Sequence, residues 1–261
     1  MRVLFIGDIM GRTGREAVAD FLPDLKYKRN IDICIANGEN ASGGLGMSIK
    51  AHRELSACGV DCFTMGNHTF SKREIISLLE NGENIVRPAN ISPESPGRGM
   101  AVLNLPLGLR IGVINILGRV FMNEAVSDPF ECAEETIVKA KAFTDIIVVD
   151  FHAEATSEKQ AMGYYLDGTV SAVLGTHTHV QTADERILPK GSAYITDVGM
   201  CGASDSVLGM EIVIATARLV EPEIKHRFAV AKGKYQLCGC IIEIDELSGK
   251  ARGIERICIR K

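Results

Sequence analysis

Short apolar runs, each followed by a cluster of metal-binding residue types, place the strongest constraint on how this chain folds. Residues 170–174 are a predicted buried strand that leads directly into Gly175-Thr176-His177-Thr178-His179. Similar clusters follow four other apolar runs: Gly7-Asp8, Asn37-Gly38-Glu39-Asn40, Gly66-Asn67-His68 and Phe151-His152. Ligands bind beyond the carboxyl ends of the strands in open α/β sheets. We therefore expect the five clusters to lie close together.

The rest of the chain alternates strand and helix patterns early and shows hairpin patterns in the middle and at the end. The predicted strands are residues 2–7, 31–36, 61–65, 101–105, 109–117, 145–150, 170–174, 193–196, 235–244 and 251–259. The predicted helices are residues 16–26, 48–57, 71–79, 129–142 and 157–165. Mixed β-sheets flanked by helices are expected from this order. Because no linker divides the chain, we predict one domain over residues 1–261.

Local signals define several turns and helix starts. Gly11 and Gly14 indicate a turn before helix 16–26, and Ser48 is expected to begin the next helix. Ser71 with Glu74 three residues later matches a capping box, which predicts a helix N-terminus there. The glycine-rich stretch 41–46 suits a loop whose backbone lies close to a ligand, or an ordinary surface turn.

Charge, the length of apolar runs and cysteine spacing argue against a duplex nucleic-acid-binding protein, a membrane-spanning protein and a cysteine-based zinc site. The net charge of −4 gives no basic surface for duplex nucleic acid, although a local phosphate pocket remains open. No apolar run approaches the ~20 residues of a membrane span, and residues 1–9 are too short for a signal peptide. The eight cysteines form no CxxC pair, and Cys34, Cys238 and Cys240 lie in apolar strand runs as small buried residues. A reducing cytoplasm is the expected compartment.

A mixed set of carboxylate, amide and imidazole groups suits iron, manganese or zinc. Seven such groups are too many for one catalytic ion that must keep an open position, and they fit two ions that share a carboxylate. The candidate ligands are Asp8, Glu39, Asn40, Asn67, His152, His177 and His179. Two histidines outside the clusters, His52 and His226, are predicted to be surface residues.

Simpler structural roles also fit some of these residues. Asp8 could cap the following helix, and Asn37 and Asn67 could be turn residues. His152 could be a hydrogen-bonded core histidine, and the histidines of the 175–179 stretch could lie in an exposed loop. The recurrence of such groups after five separate strands favours a shared site over five independent coincidences.

Three phrases in order identify a resemblance: 37–41 (NGENA), 64–69 (TMGNHT) and 87–90 (RPAN). The chain resembles the calcineurin-like metallophosphoesterase superfamily over essentially its whole length. It is most similar to the YmdB-type branch of bacterial 2',3'-cyclic-nucleotide phosphodiesterases. Two departures from the wider superfamily also resemble that branch: Met10 replaces the usual histidine, and Glu39 replaces the usual bridging aspartate.

The resemblance implies an α/β (α+β) fold, a four-layer sandwich of two mixed β-sheets flanked by helices. It implies one ion bound by Asp8, Glu39, Asn40 and His179, and a second bound by Glu39, Asn67, His152 and His177. Iron is the expected metal, with manganese as a substitute. His68 would stand beside the ions as a catalytic proton donor.

The function expected from the sequence is that of a di-metal phosphodiesterase acting on small phosphodiesters such as 2',3'-cyclic nucleotides, by in-line attack of a metal-bridging hydroxide. Its partner would be the small-molecule substrate, with no duplex nucleic acid and no membrane; a homo-oligomer is compatible with the sequence. Two alternatives remain open at this stage. One is a metal-dependent phosphomonoesterase or nucleotidase, and the other is a regulatory protein that binds a nucleotide.

Overall fold

Two β-sheets pack face to face and carry helices on both outer faces in the computed structural model, which describes residues 1–82, 84–124, 126–223 and 227–261. In chain order the strands are β1 (Arg2–Ile6), β2 (Asp8–Ile9), β3 (Ile33–Asn37), β4 (Cys62–Thr64), β5 (Ile85–Val86), β6 (Met100–Asn104), β7 (Arg110–Leu117), β8 (Ile147–His152), β9 (Ala172–Thr176), β10 (Arg186–Ile187), β11 (Ala193–Ile195), β12 (Met200–Ala203), β13 (Tyr235–Ile244) and β14 (Ala251–Arg260). The helices are α1 (Gly11–Arg29), α2 (Ile49–Ala57), α3 (Ile75–Glu80), α4 (Pro129–Lys141), α5 (Thr156–Leu166) and α6 (Ile212–Val220).

Both sheets are mixed. In the first sheet β1, β3, β4 and β5 are parallel neighbours, while β13 runs antiparallel to β1, β12 and β14, and β2 joins the edge beside β12. In the second sheet β7, β8, β9 and β11 are parallel, and antiparallel strands β6 and β10 close its edges. The predicted hairpins at residues 101–117 and 235–259 are confirmed as β6–β7 and β13–β14.

The two faces of β1 explain why its apolar run is continuous. Val3 and Phe5 face the core between the two sheets, whereas Leu4 and Ile6 face the core beneath the helices. A strand that is buried on both faces needs apolar residues at every position rather than at alternate ones. The first strand is therefore readable from its sequence without any periodicity.

Helices cover both outer faces and complete four layers. The core against the first sheet includes Leu22 of α1 and Leu55 of α2, and the core against the second includes Ile137 of α4 and Met162 of α5. The predicted sandwich of two mixed sheets flanked by helices is confirmed. Within the described ranges, no helix has both the length and the apolar character needed to cross a membrane.

The predicted turn at Gly11 and Gly14 is instead the first part of α1, which begins at Gly11. A Cβ atom on Gly14 would lie 2.3 Å from the carbonyl oxygen of Cys201 on β12. The glycine therefore lets the helix approach β12 closely, and a local turn signal was the wrong interpretation.

The predicted capping box at Ser71 is also wrong. Residues Thr69–Ser71 form one 3₁₀ turn, and α3 begins only at Ile75. The Glu74 carboxylate instead accepts a hydrogen bond from the backbone N–H of Ile49 at 3.3 Å, at the start of α2. The simpler prediction for α2 is confirmed, because the Ser48 hydroxyl accepts the N–H of Ala51 at 3.1 Å.

His52 is not a surface residue, contrary to the prediction from the sequence. It is only 6% exposed, and its ring packs against Phe63 with centroids 5.1 Å apart. The prediction for His226 lies outside the described residues. Elements that were not predicted from the sequence are α6, the four-residue strand β12 and the two-residue strands β2, β5 and β10. The two-residue strands are too short to show a period.

Candidate metal centre

The carboxyl ends of β1, β3 and β4 in one sheet and of β8 and β9 in the other meet at one end of the sandwich. Hydrogen bonds and close contacts link all eight predicted site residues there: Asp8, Glu39, Asn40, Asn67, His68, His152, His177 and His179. The expectation that the strand-end clusters converge therefore agrees with the geometry of the chain.

One group of ligand-type atoms surrounds Nε2 of His152. Glu39 Oε1 lies 3.1 Å from it, Asn67 Oδ1 lies 3.2 Å from it, and Nδ1 of His177 lies 3.1 Å from it. The ligand atoms of Glu39, His152 and His177 all lie within 4.8 Å of one another. Four groups of this kind at this spacing can hold one transition-metal ion.

A second group surrounds Nε2 of His179. Asp8 Oδ1 lies 3.8 Å from this nitrogen, and Asn40 Nδ2 lies 3.2 Å from it. Asn40 Nδ2 also donates to Glu39 Oε1 at 3.1 Å, so Glu39 lies between the two groups. An amide binds metal through its oxygen, so Asn40 would have to turn its carboxamide over to act as a ligand.

The 175–179 stretch is held in a strained conformation. His177 and His179 have φ values of 97° and 65°, a left-handed region that costs non-glycine residues about 1–3 kcal/mol each. Between them, Thr178 donates its N–H at 3.0 Å and its hydroxyl at 2.7 Å to one carboxylate oxygen of Asp197. Lys159 Nζ donates to the same buried oxygen at 2.7 Å. On either side of this anchored residue, the His177 ring contacts His152 and the His179 ring contacts Asn40.

His152 and His179 each have a hydrogen-bond partner on Nδ1, the ring nitrogen that points away from the centre. Their Nε2 atoms, which face the centre, are therefore available to a metal. His152 Nδ1 lies 2.8 Å from the Thr176 hydroxyl, which itself donates to Asp150 at 2.6 Å. His179 Nδ1 donates to the carbonyl oxygen of Leu208 at 3.0 Å. Metal-binding histidines in proteins are usually oriented by such partners.

The third histidine is oriented by a carboxylate at the rim. His177 Nε2 lies 3.2 Å from Glu154 Oε2, while its Nδ1 faces His152 and Glu39. With its proton on Nε2, His177 would present the Nδ1 lone pair to the centre. His152, His177 and His179 thus offer Nε2, Nδ1 and Nε2, respectively, to the same space.

Two observations show that the centre fits metal ions. Asp8 Oδ1 is fully buried and has no hydrogen-bond partner within the described part of the chain. A buried carboxylate oxygen without a partner is costly, and a cation would remove that cost. A Cβ atom on Gly66 would lie 2.3 Å from Glu39 Oε2 and 2.4 Å from His152 Nε2. Only glycine at this position therefore leaves room for these two ligand-type groups to approach an ion.

The ionisable groups of the centre shift one another's pKa values. Burial opposes the ionised form of Glu39, but the charge and hydrogen bond of His152 lower the pKa of Glu39 to about 2. Burial likewise opposes the imidazolium of His152, but Glu39 raises the pKa of His152 to about 9. Burial and the neighbouring His152 lower the pKa of His177 to about 3, which keeps His177 neutral. A bound cation would take over the role of the His152 proton, which would be released.

The structure also decides the alternative roles of three residues. Asp8 does not cap α1, because Met10 occupies the N-cap position. Asn37 is the last residue of β3 rather than a turn residue, and its Nδ2 donates to Met65 O at 3.1 Å and to Asp150 Oδ2 at 3.0 Å. His152 is buried, yet its Nε2 faces the ligand-type groups instead of a purely structural partner.

The residues that orient the candidate ligands were not predicted from the sequence. They are Asp150, Glu154, Lys159, Thr176, Asp197 and the backbone carbonyl of Leu208. Asp150 left a usable signal, since it is a carboxylate inside an apolar strand two residues before His152. Thr176 lies inside the 175–179 stretch, but neither it nor the others carries a local signal of an orienting role, because each meets its histidine or loop only through the tertiary fold.

Replacing Glu154 with alanine is expected to weaken metal binding about 10- to 100-fold, the usual effect of removing a residue that orients a metal ligand. Glu154→Gln should retain more affinity, since its amide oxygen still accepts the Nε2–H of His177. Calorimetric titration with Mn²⁺ measures both variants, with the exposed Glu135→Ala as the matched control. Equal affinities for wild type and Glu154→Ala would show that Glu154 does not orient His177.

A protein-family model described as "YmdB-like protein" matches residues 4–257 of this chain. The 2',3'-cyclic-nucleotide 2'-phosphodiesterase of Bacillus subtilis (strain 168) is 49% identical over 259 residues, which cover 99% of this chain and 97% of that protein. The match extends over the whole set of strand-end clusters.

Two solved structures are similar over the full chain. A hypothetical protein from Thermus thermophilus is 40% identical with a TM-score of 0.94, and the match covers 100% of both chains. A novel phosphatase from Mycoplasma pneumoniae is 38% identical with a TM-score of 0.92, covering 100% of this chain and 93% of that one.

Proposed function

This chain belongs to the YmdB-like family, and on that premise we propose that it is a di-metal phosphodiesterase that hydrolyses 2',3'-cyclic nucleotides or closely related small phosphodiesters. Its relatives are a phosphodiesterase and a phosphatase, so the chain is a phosphoester hydrolase. The observation that carries the finer proposal is the position of Glu39 between two groups of ligand-type atoms.

The chain's own residues divide into two metal sites. Asp8, Glu39, Asn40 and His179 would hold the first ion, and Glu39, Asn67, His152 and His177 would hold the second. Iron is the metal that we propose, with manganese as a functional substitute. When bound, two such ions supply an activated water and neutralise charge on the phosphoryl oxygens.

His68 is the residue that we propose as proton donor to the leaving oxygen. Its side chain lines the cavity beside the centre, and its backbone N–H donates to Glu39 Oε2 at 3.0 Å. This backbone contact fixes the position of the His68 backbone, so that the imidazole lies at the rim of the centre rather than among the candidate ligands. A ribose oxygen is a poor leaving group and needs a proton, which an imidazole can provide.

The test of function is the product formed from adenosine 2',3'-cyclic monophosphate by Mn²⁺-loaded protein. We expect a nucleoside monophosphate to accumulate and the reaction to stop there, as chromatography and an assay for inorganic phosphate would show. Inorganic phosphate as the main product would favour the metal-dependent phosphomonoesterase. Binding of the nucleotide without turnover at full metal loading would favour the regulatory protein.

We also propose that the protein works in the cytoplasm. The proposal rests on the eight free cysteines, because a reducing compartment keeps thiols in this form. The proposed partner is the small-molecule substrate itself. Fractionation of the source cells followed by detection of the protein would test the compartment.

A further inference from the structure

A cavity of about 300 Å³ opens beside the metal centre. Part of its wall consists of the metal-centre residues already described, including His68, His177 and His179. The remaining wall is mainly apolar and includes Met10, Leu45, Leu208, Met210 and Phe228. A volume near 300 Å³ is at the lower end of small-molecule sites, which suits a compact ligand with a polar and an apolar part.

The apolar wall is assembled around the backbone of Gly44. A Cβ atom on Gly44 would lie 2.7 Å from Cε1 of Phe228 and 3.0 Å from the methyl carbon of Met10, so the aromatic ring and the thioether both lie against this glycine. Gly44 has a φ of 85°, which other residues rarely adopt. Phe228 is half-buried, so its ring is supported by Gly44 and remains accessible from the cavity.

The apolar wall is attached directly to the metal centre. Leu208 contributes its carbonyl oxygen to His179 Nδ1 at 3.0 Å and its side chain to the cavity. Met10 follows Asp8 by two residues and is only 3% exposed. Met10 is therefore the buried support of the wall, and a ligand whose phosphate is held at the centre would place its neighbouring group against the accessible Leu208, Met210 and Phe228.

We propose that this wall is the nucleobase subsite, in which the base of a cyclic nucleotide stacks on Phe228 and packs against Leu208 and Met210. This inference rests on the proposed function, because that function puts the phosphate at the metal centre. An aromatic ring can stack on any base, since every base has a π-face. A thioether is polarisable and adapts to ring surfaces. The apolar side chains of this wall would thus accept the base while the metal centre accepts the phosphate.

The test compares adenosine 2',3'-cyclic monophosphate with 1-O-methylribose 2',3'-cyclic phosphate, which has the same reacting group and no base. We expect kcat/KM of the Mn²⁺-loaded wild type to favour the nucleotide by about tenfold or more, the usual size of a stacking contact. Phe228→Ala should remove most of that preference, and Phe228→Tyr should retain it. The matched control is Phe143→Ala, an exposed phenylalanine outside this cavity.

A second variant and a binding measurement keep the outcomes separate. Leu208→Ala shortens the same wall but keeps the carbonyl that holds His179, so it should also reduce the preference. Calorimetry with adenosine 3'-monophosphate and ribose 3-phosphate measures the contribution of the base without turnover. If the nucleotide binds more tightly than ribose 3-phosphate and Phe228→Ala removes this difference, the subsite is supported. This conclusion holds even if neither cyclic substrate reacts. The absence of reaction would contradict only the proposed function. Turnover of both cyclic substrates with the same ratio in wild type and Phe228→Ala would overturn the subsite and leave the proposed function standing.

Discussion

Replacing Glu39 with glutamine is expected to remove both metal ions and to reduce phosphodiesterase activity by about 1,000-fold or more. Glu39 is 1% exposed and lies between the two ligand groups, so one neutral amide would weaken both sites together. Its two oxygens accept from Asn40 Nδ2 and from the N–H of His68. In Glu39→Gln, the NH₂ group would face one of these two donors whichever oxygen it replaces. This clash of donors would weaken the centre further.

Metal analysis of the purified variant measures this result directly. Asp8→Asn is the informative comparison, because Asp8 Oδ1 belongs to the group around His179, and the ion held through Glu39, Asn67, His152 and His177 should then remain. Circular dichroism and thermal unfolding of both variants separate a loss of metal from a loss of fold. A Glu39→Gln protein that keeps one ion at full activity would contradict the two-metal mechanism.

Replacing His68 with alanine is expected to slow hydrolysis of a cyclic nucleotide by about 100- to 10,000-fold, the usual value of general acid catalysis. The variant should still bind two metal ions, because the contact between residue 68 and Glu39 Oε2 uses the backbone N–H. The His68 side chain lines the cavity and is not among the groups that surround His152 or His179.

The leaving group provides the control for His68. Bis(p-nitrophenyl) phosphate releases a stable phenolate that needs no proton, so His68→Ala should affect it far less than a ribose-leaving substrate. Steady-state rates on both substrates, with metal content measured in the same preparations, decide the matter. Equal losses on the two substrates, or loss of metal, would rule out a specific acid role for His68.

The main strands of both sheets could be predicted from the sequence because these strands are buried on both faces. The runs that became β1, β3 and β8 are apolar at nearly every position, which a strand between two packed layers requires. Where a prediction depended on a local signal, the tertiary structure could override it. Glu74 matched a capping box, yet its carboxylate bonds to the N–H of Ile49, which no local pattern indicates.

The candidate ligands were likewise readable from residue type and position, since each follows a predicted strand. Their grouping was not readable from spacing, and it came from the resemblance to a known family. In the structure, Asn37 of β3 donates to Asp150 of β8 across 113 residues, so the two sheets are joined at the site itself. The pairing of Asp8 with His179 depends on how the sheets pack.

The sequence by itself determined which residue types make up the candidate site: seven carboxylate, amide and imidazole side chains at strand ends, a histidine beside them and a family signature across the chain. Only the tertiary structure decided which ring nitrogen faces the centre, through Glu154, Thr176 and the Leu208 carbonyl. It also brought Met10, Leu208 and Phe228 into one cavity wall. The physical reason is that residue type is a local property. Hydrogen-bond direction and apolar contact, by contrast, depend on chain segments that meet only after both sheets have packed.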